Sequence, residues 1–202
     1  MTISGNNALR IFDIGLINAT ISGLTIANGN AGNFGGGGIS NNGTLTISNC
    51  TISGNSTGAG GGGISSGGPL IITNSTFSGN MATGNGSNGG AIFNVRALTI
   101  TNSTISGNFA SNGNGGGLYT STLDPTTVTI TNSTISGNSA FRGGGVYNNG
   151  GTVNTKNTII ALNTANFTTF SPDVSGTLTS QGYNLIGNNS NANITPANQT
   201  GD

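Results

Sequence analysis

Residues 98–108 read LTITNSTISGN, and the same phrase returns along the chain. It appears as LTISNCTISGN at 45–55, LIITNSTFSGN at 70–80 and VTITNSTISGN at 128–138, with weaker copies at 153–163 (VNTKNTIIALN) and 178–188 (LTSQGYNLIGN). The first Asn of each phrase sets the period: Asn49, Asn74, Asn102, Asn132 and Asn157 lie 25, 28, 30 and 25 residues apart. Gly182 holds that place in the last copy. Residues 20–26 (TISGLTI) form an imperfect copy, and 2–6 (TISGN) match the tail of one more, so the chain is expected to begin in mid-repeat. A repeat of this length marks a solenoid, in which each unit buries its apolar face against the next.

Within a phrase the apolar residues alternate. Leu98, Ile100 and Ile105 are expected to point inward, and Thr99, Thr101, Thr104 and Ser106 outward, which is a strand pattern. The phrase is too long for one straight strand in that phase, so a bend is expected at the first Asn, a residue that tolerates left-handed backbone geometry. Between phrases lies a second motif: GGGGI at 35–39, GGGI at 61–64, GGAI at 89–92, GGGL at 115–118 and GGGV at 143–146. Each is expected to open a third strand.

Three short strands per turn predict an all-β parallel β-helix of about seven coils of 25–30 residues. The usual handedness of parallel crossovers makes it right-handed. Coils stacked at ~4.8 Å would give a rod of roughly 34 Å. Stacking puts Ile47, Ile72, Ile100 and Ile130 in an inner ladder. It puts Asn49, Asn74, Asn102, Asn132 and Asn157 in a corner ladder whose amides bond along the stack. The variable lengths fall between SGN and GGG, at residues 81–88 and 109–114, and are expected to emerge as loops. The chain reads as one domain over 1–202, with regular coils to 163 and a divergent coil and tail over 164–202, and as a fragment of a longer chain. Open strand edges at its ends predict end-to-end self-association.

Composition narrows the function. Charged residues make up 4% of the chain and the net charge is zero, which gives no basis for binding nucleic acid or an anionic membrane. No apolar run approaches the ~20 residues of a membrane-spanning helix. No secretory signal is visible at the N-terminus. One Cys, Cys50, leaves no internal disulfide, and its place among Ser75, Ser103 and Ser133 reads as a small inward thiol.

An enzyme of this shape needs clustered acids. Asp13, Asp124, Asp173 and Asp202 are spread over the coils, and there is no His to act as base or zinc ligand. The four cations Arg10, Arg96, Arg142 and Lys156 and these acids read as solvated surface charges. The Gly runs lack the Lys-Ser/Thr ending of a phosphate loop and the Asp of calcium-binding repeats, so no catalytic residue, cofactor or metal is expected.

Two outward faces stand out. The position after the apolar residue of the Gly-rich strand is Phe93, Tyr119 and Tyr147 in three consecutive coils. An exposed stripe of these rings is a candidate polysaccharide site, set against a ladder that merely stiffens the sheet. The other face carries Thr51/Ser53, Thr76/Ser78, Thr104/Ser106 and Thr134/Ser136, an array that raises ice binding as an alternative; Thr is also an ordinary outward strand residue.

The residues carry family resemblances. Residues 89–92 (GGAI) and 77–80 (FSGN) are similar to the repeats of chlamydial polymorphic outer-membrane proteins, although most copies here read GGG and Ile-x-x-Asn. Residues 100–108 and 130–138 (ITNSTISGN) resemble units of bacterial right-handed β-helix repeat proteins with "choice-of-anchor" ends. Residues 157–160 (NTII), 172–176 (PDVSG) and 180–187 (SQGYNLIG) resemble their closing segment. The resemblance implies export, surface display and partners among polysaccharides or other cell-surface molecules. The expected function is therefore a non-enzymatic secreted or surface β-helix for adhesion or spacing, with a carbohydrate-active lyase or hydrolase as the alternative and ice binding as the third.

Overall fold

In a computed structural model, which describes residues 1–121, 127–167, 171–190 and 192–195, the chain is a parallel β-solenoid of about seven turns. A central coil runs Ile64–Ser66, Leu70–Thr73, Thr76–Ser78 and Met81–Asn85. Each strand pairs in parallel with its equivalents one coil before and one coil after. We call the four faces the first, second, third and fourth sheets in that order. The second sheet, the Asn corner and the third sheet are the two halves of the repeated phrase.

The inward positions are as the alternation requires. Ile47, Ile72, Ile100 and Ile130 are fully buried and in register along the second sheet. Ile26, Ile52, Phe77, Ile105, Ile135 and Ile160 do the same in the third. Burying one such side chain contributes about 1.5–3 kcal/mol, so the repeat itself supplies the core. The Gly-rich segments give the first sheet its entry. Gly115 has φ 69 and turns the chain. A Cβ on Gly116 would come within 2.4 Å of the Ser139 carbonyl oxygen of the next coil, so close backbone approach demands Gly there.

To the three expected strands the structure adds a fourth. Residues 81–88 and 109–114 were expected as loops, but Met81–Asn85 and Phe109–Asn114 are strands of a five-stranded sheet with Ser56–Thr57, Ser139–Arg142 and Thr164–Ala165. Beyond the SGN turn the backbone stays extended, and Ala82, Ala110 and Ala140 stack fully buried. The length differences are absorbed as register shifts between Ala82 and Asn85 and between Ala110 and Asn114. Near the C-terminal end the seven-residue strand Val174–Ser180 pairs with Val146–Asn149 by its start and with Thr152–Lys156 by its end, which fuses the first and second sheets.

Two polar ladders hold the coils in register. At the bend, Asn49, Asn74, Asn102, Asn132 and Asn157 all take φ between 49 and 53 and are exposed. The Asn102 amide donates to Asn74 Oδ1 at 3.2 Å, and Asn157 to Asn132 Oδ1 at 3.0 Å. Directly behind them Ser75, Ser103 and Ser133 are buried. The Ser103 hydroxyl accepts from the Ser75 N–H at 3.1 Å and donates to the Thr101 carbonyl at 2.8 Å. Cys50 occupies the same file, with its Sγ 3.2 Å from the Ser48 carbonyl oxygen.

The second ladder was not foreseen. Asn55, Asn80, Asn108, Asn138 and Asn163, the last residue of each phrase, are buried. Asn108 shows the pattern. Its Oδ1 accepts from both the N–H and the side-chain amide of Asn80 at 2.9 Å. Its own amide donates to the Phe77 carbonyl at 3.1 Å and to Asn138 Oδ1 at 2.8 Å. Every amide in the interior of the file therefore ties the coil before it to the coil after it, with its buried polar atoms paired.

Candidate functional site

The first sheet places Asp13, Ser40, Ser65, Phe93, Tyr119, Tyr147 and Ser175 in one outward file. In-register pairing brings the three rings to about the thickness of a stack. Phe93 and Tyr119 lie with centroids 5.2 Å apart and planes 5° from parallel; Tyr119 and Tyr147 lie 5.7 Å apart at 4°. The expected exposed stripe needs correcting on this point. The rings face one another, not solvent, and Tyr119 is only 7% exposed. The outer face of Phe93 lies on backbone, since a Cβ on Gly60 would come 2.9 Å from Phe93 Cδ2. The Tyr119 hydroxyl is engaged by the Asn149 amide at 3.1 Å. A sugar ring stacks on an aromatic face, and in this file the faces between the rings are taken. What remains for a ligand is the edges of the rings and the face of Tyr147 turned towards the small Ser175 of the next coil; Phe93 and Tyr147 are both half-buried.

The charged groups fare differently from the uniform solvated surface expected of them. Asp13 is 64% exposed and pairs with Arg10 at 3.0 Å. Arg10 also donates to the Gly35 and Gly36 carbonyls, so it clamps the first Gly run. An exposed pair of this kind adds little stability. Asp173 is 2% exposed and is structural. Its Oδ1 accepts from the Asn163 N–H at 2.9 Å and the Asn163 amide at 2.8 Å, and its Oδ2 from the Asn188 N–H at 2.5 Å. It thus ends the buried Asn ladder, in the place that the repeat would give to Asn188. Three N–H donors stabilise the buried carboxylate. Arg142 stacks on Phe141 and Phe167, its guanidinium carbon 5.6 and 5.4 Å from the two ring centres. Asp124 and Asp202 lie outside the described residues. Asp13 and Asp173 stand near opposite ends of the stack and form no dyad. Among the described residues no group of three or more Cys, Asp or Glu side chains converges.

The third sheet is the most regular surface. Its outward files are Thr2, Thr25, Thr51, Thr76, Thr104 and Thr134, continued by Ile159 and Leu185, and Ser4, Ala27, Ser53, Ser78, Ser106, Ser136 and Ala161. No register shift interrupts its eight strands, in contrast to the fourth sheet. No charged residue stands on it. From Thr51 to Ser136 none of its hydroxyls bonds within the protein among the described residues, whereas Ser75, Ser103, Ser133 and Thr158 at the adjoining corner all do. The second sheet is a less regular relative, its Thr files broken by Ile71, Asn154 and Lys156.

Compared with known proteins, the chain matches no family model, no curated protein and no solved structure.

Proposed function

We propose that the chain is a non-enzymatic, rigid shaft of a secreted or cell-surface protein, acting as a spacer with adhesive capacity on its sides. The observation that carries this reading is the pair of polar ladders, one at the exposed bend with its buried Ser file and one wholly buried. They spend the Asn and Ser residues of the repeat on coil-to-coil registration, so that each added coil adds length without adding a new reactive group. The likeness of residues 100–108, 130–138 and 180–187 to β-helix proteins displayed on bacterial surfaces supports export. Single-molecule pulling of the chain between marker domains tests the shaft. We expect a rod that holds its length until cooperative, high-force rupture; smooth extension at low force would overturn the reading. Release of new sugar ends from a panel of plant, algal and bacterial polysaccharides would move the chain to the carbohydrate-active class.

A second reading is favoured by the third sheet. Two uncharged files of hydroxyl and methyl groups, repeated at about 4.8 Å across the strands, offer a periodic array whose hydroxyls from Thr51 to Ser136 have no internal partner among the described residues. Such an array suits an equally periodic neighbour, and ice is the simplest. Thermal hysteresis and faceted ice growth, both lost in Thr104→Lys, are the expected results. Their absence in the native chain would remove this reading and leave the shaft intact.

A further inference from the structure

The inner corner that follows the first sheet carries a third polar file. Pairing sets Asn41, Ser66, Asn94, Thr120 and Asn148 above one another, and all five are buried. The amide orientations are fixed by carbonyls. Asn41 donates to Ser66 Oγ at 2.9 Å and to the Pro69 carbonyl at 3.4 Å. Asn94 donates to the Arg96 carbonyl. Asn148 donates to the carbonyls of Gly151 at 3.2 Å and Thr177 at 2.7 Å. Turning any of these amides over would set oxygen against carbonyl oxygen. The Oδ1 atoms of Asn41, Asn94 and Asn148 are thereby left with no donor among the described residues. The same atom of Asn108, in the neighbouring ladder, takes two donors. A buried acceptor without a donor is costly and uncommon, and this file holds three at spacings of two coils.

We propose that this corner is a row of internal hydration sites, in which a bound water donates to each of the three amide oxygens. The file alternates Asn with the shorter side chains of Ser66 and Thr120. Neighbouring levels are separated by about 4.8 Å, which Asn41 spans by its direct bond to Ser66 Oγ and which one bridging water spans where the amide is turned to a carbonyl instead. Each site has the two or more polar partners that a buried water needs. Asn94 and Asn148 flank the Thr120 hydroxyl. Asn41 and Asn94 flank Ser66 Oγ, which donates to the Gly68 carbonyl at 2.7 Å. The ligand is neutral water and not a hard cation, which takes six or more oxygens and favours carboxylates; the file contributes amides and hydroxyls alone.

The test is water-to-protein Overhauser spectroscopy on the folded chain, read at the side-chain amide protons of the three Asn residues. Cross-peaks to long-lived water at Asn41, Asn94 and Asn148 are expected. Thr120→Val, a change of nearly constant volume, should erase those at Asn94 and Asn148 and keep that at Asn41. Absence of long-lived water at all three amides in the native chain would overturn the proposal whatever the variant does. Unchanged peaks in a folded Thr120→Val chain would overturn the bridging arrangement.

Discussion

The two Asn residues of the repeated phrase sit six positions apart, recur together in five coils, and have opposite fates. The first, typified by Asn102, is exposed and stands at φ 50. The second, typified by Asn108, is buried and bonded on every side. The first is selected for its backbone, because few L-residues accept the left-handed bend. The second is selected for its side chain, because no other residue offers two donors and an acceptor of that length to the coils on either side. Identical letters in a repeat thus report different physics.

That contrast can be broken in order of effect. Asn108→Leu is expected to cost the most, on the order of 4 kcal/mol, because it strands both Asn80 donors and the Phe77 carbonyl in the core. Chemical denaturation should show it, and hydrogen exchange should show the opening centred on the adjoining coils. Asp173→Asn should cost about 2 kcal/mol, since the charge-assisted bonds from Asn163 weaken and the new amide group points at the Asn188 N–H. Exchange should accelerate chiefly near the C-terminal end. Asn102→Ala should cost about 1 kcal/mol and Asn102→Gly close to nothing, because the backbone preference dominates and the exposed amide bond to Asn74 adds little beside it. If Asn102→Ala proved as damaging as Asn108→Leu, the division of labour between the two files would be wrong. The smallest change sharpens the comparison from the other side. Leu162 holds the place of Gly54, Gly79, Gly107 and Gly137, at φ 61 and 84% exposed. Leu162→Gly should raise stability by about 1 kcal/mol, with a higher thermal midpoint as the readout.

Much of this was legible beforehand. The period, the inward Ile files and the bend at the first Asn follow from alternation and spacing, which are local. The burial of the second Asn was not, because the preceding Gly, at φ 65 before Asn108 and Asn138, resets the alternation and turns the next side chain inward. A Gly directly before an Asn, at the same place in four of the five copies whose Asn joins the ladder, was the available signal. Nor could spacing show that Asp173 would displace Asn188 from the ladder, since the two are 15 residues apart and meet only through the return of the chain. The candidate stripe illustrates the same limit. Its three aromatics were found by register, and whether their faces met solvent or each other depended on side-chain packing.

The sequence by itself determined that this protein stacks as a β-solenoid and which residues lie over which, because a fixed repeat paired in parallel allows only one arrangement of like over like. Only the tertiary structure decided what each file does: which Asn is buried, which hydroxyls are spent inside, and that the aromatic rings close on one another. Those outcomes depend on contacts between coils, where a side chain's neighbours come from 25 to 30 residues away along the chain.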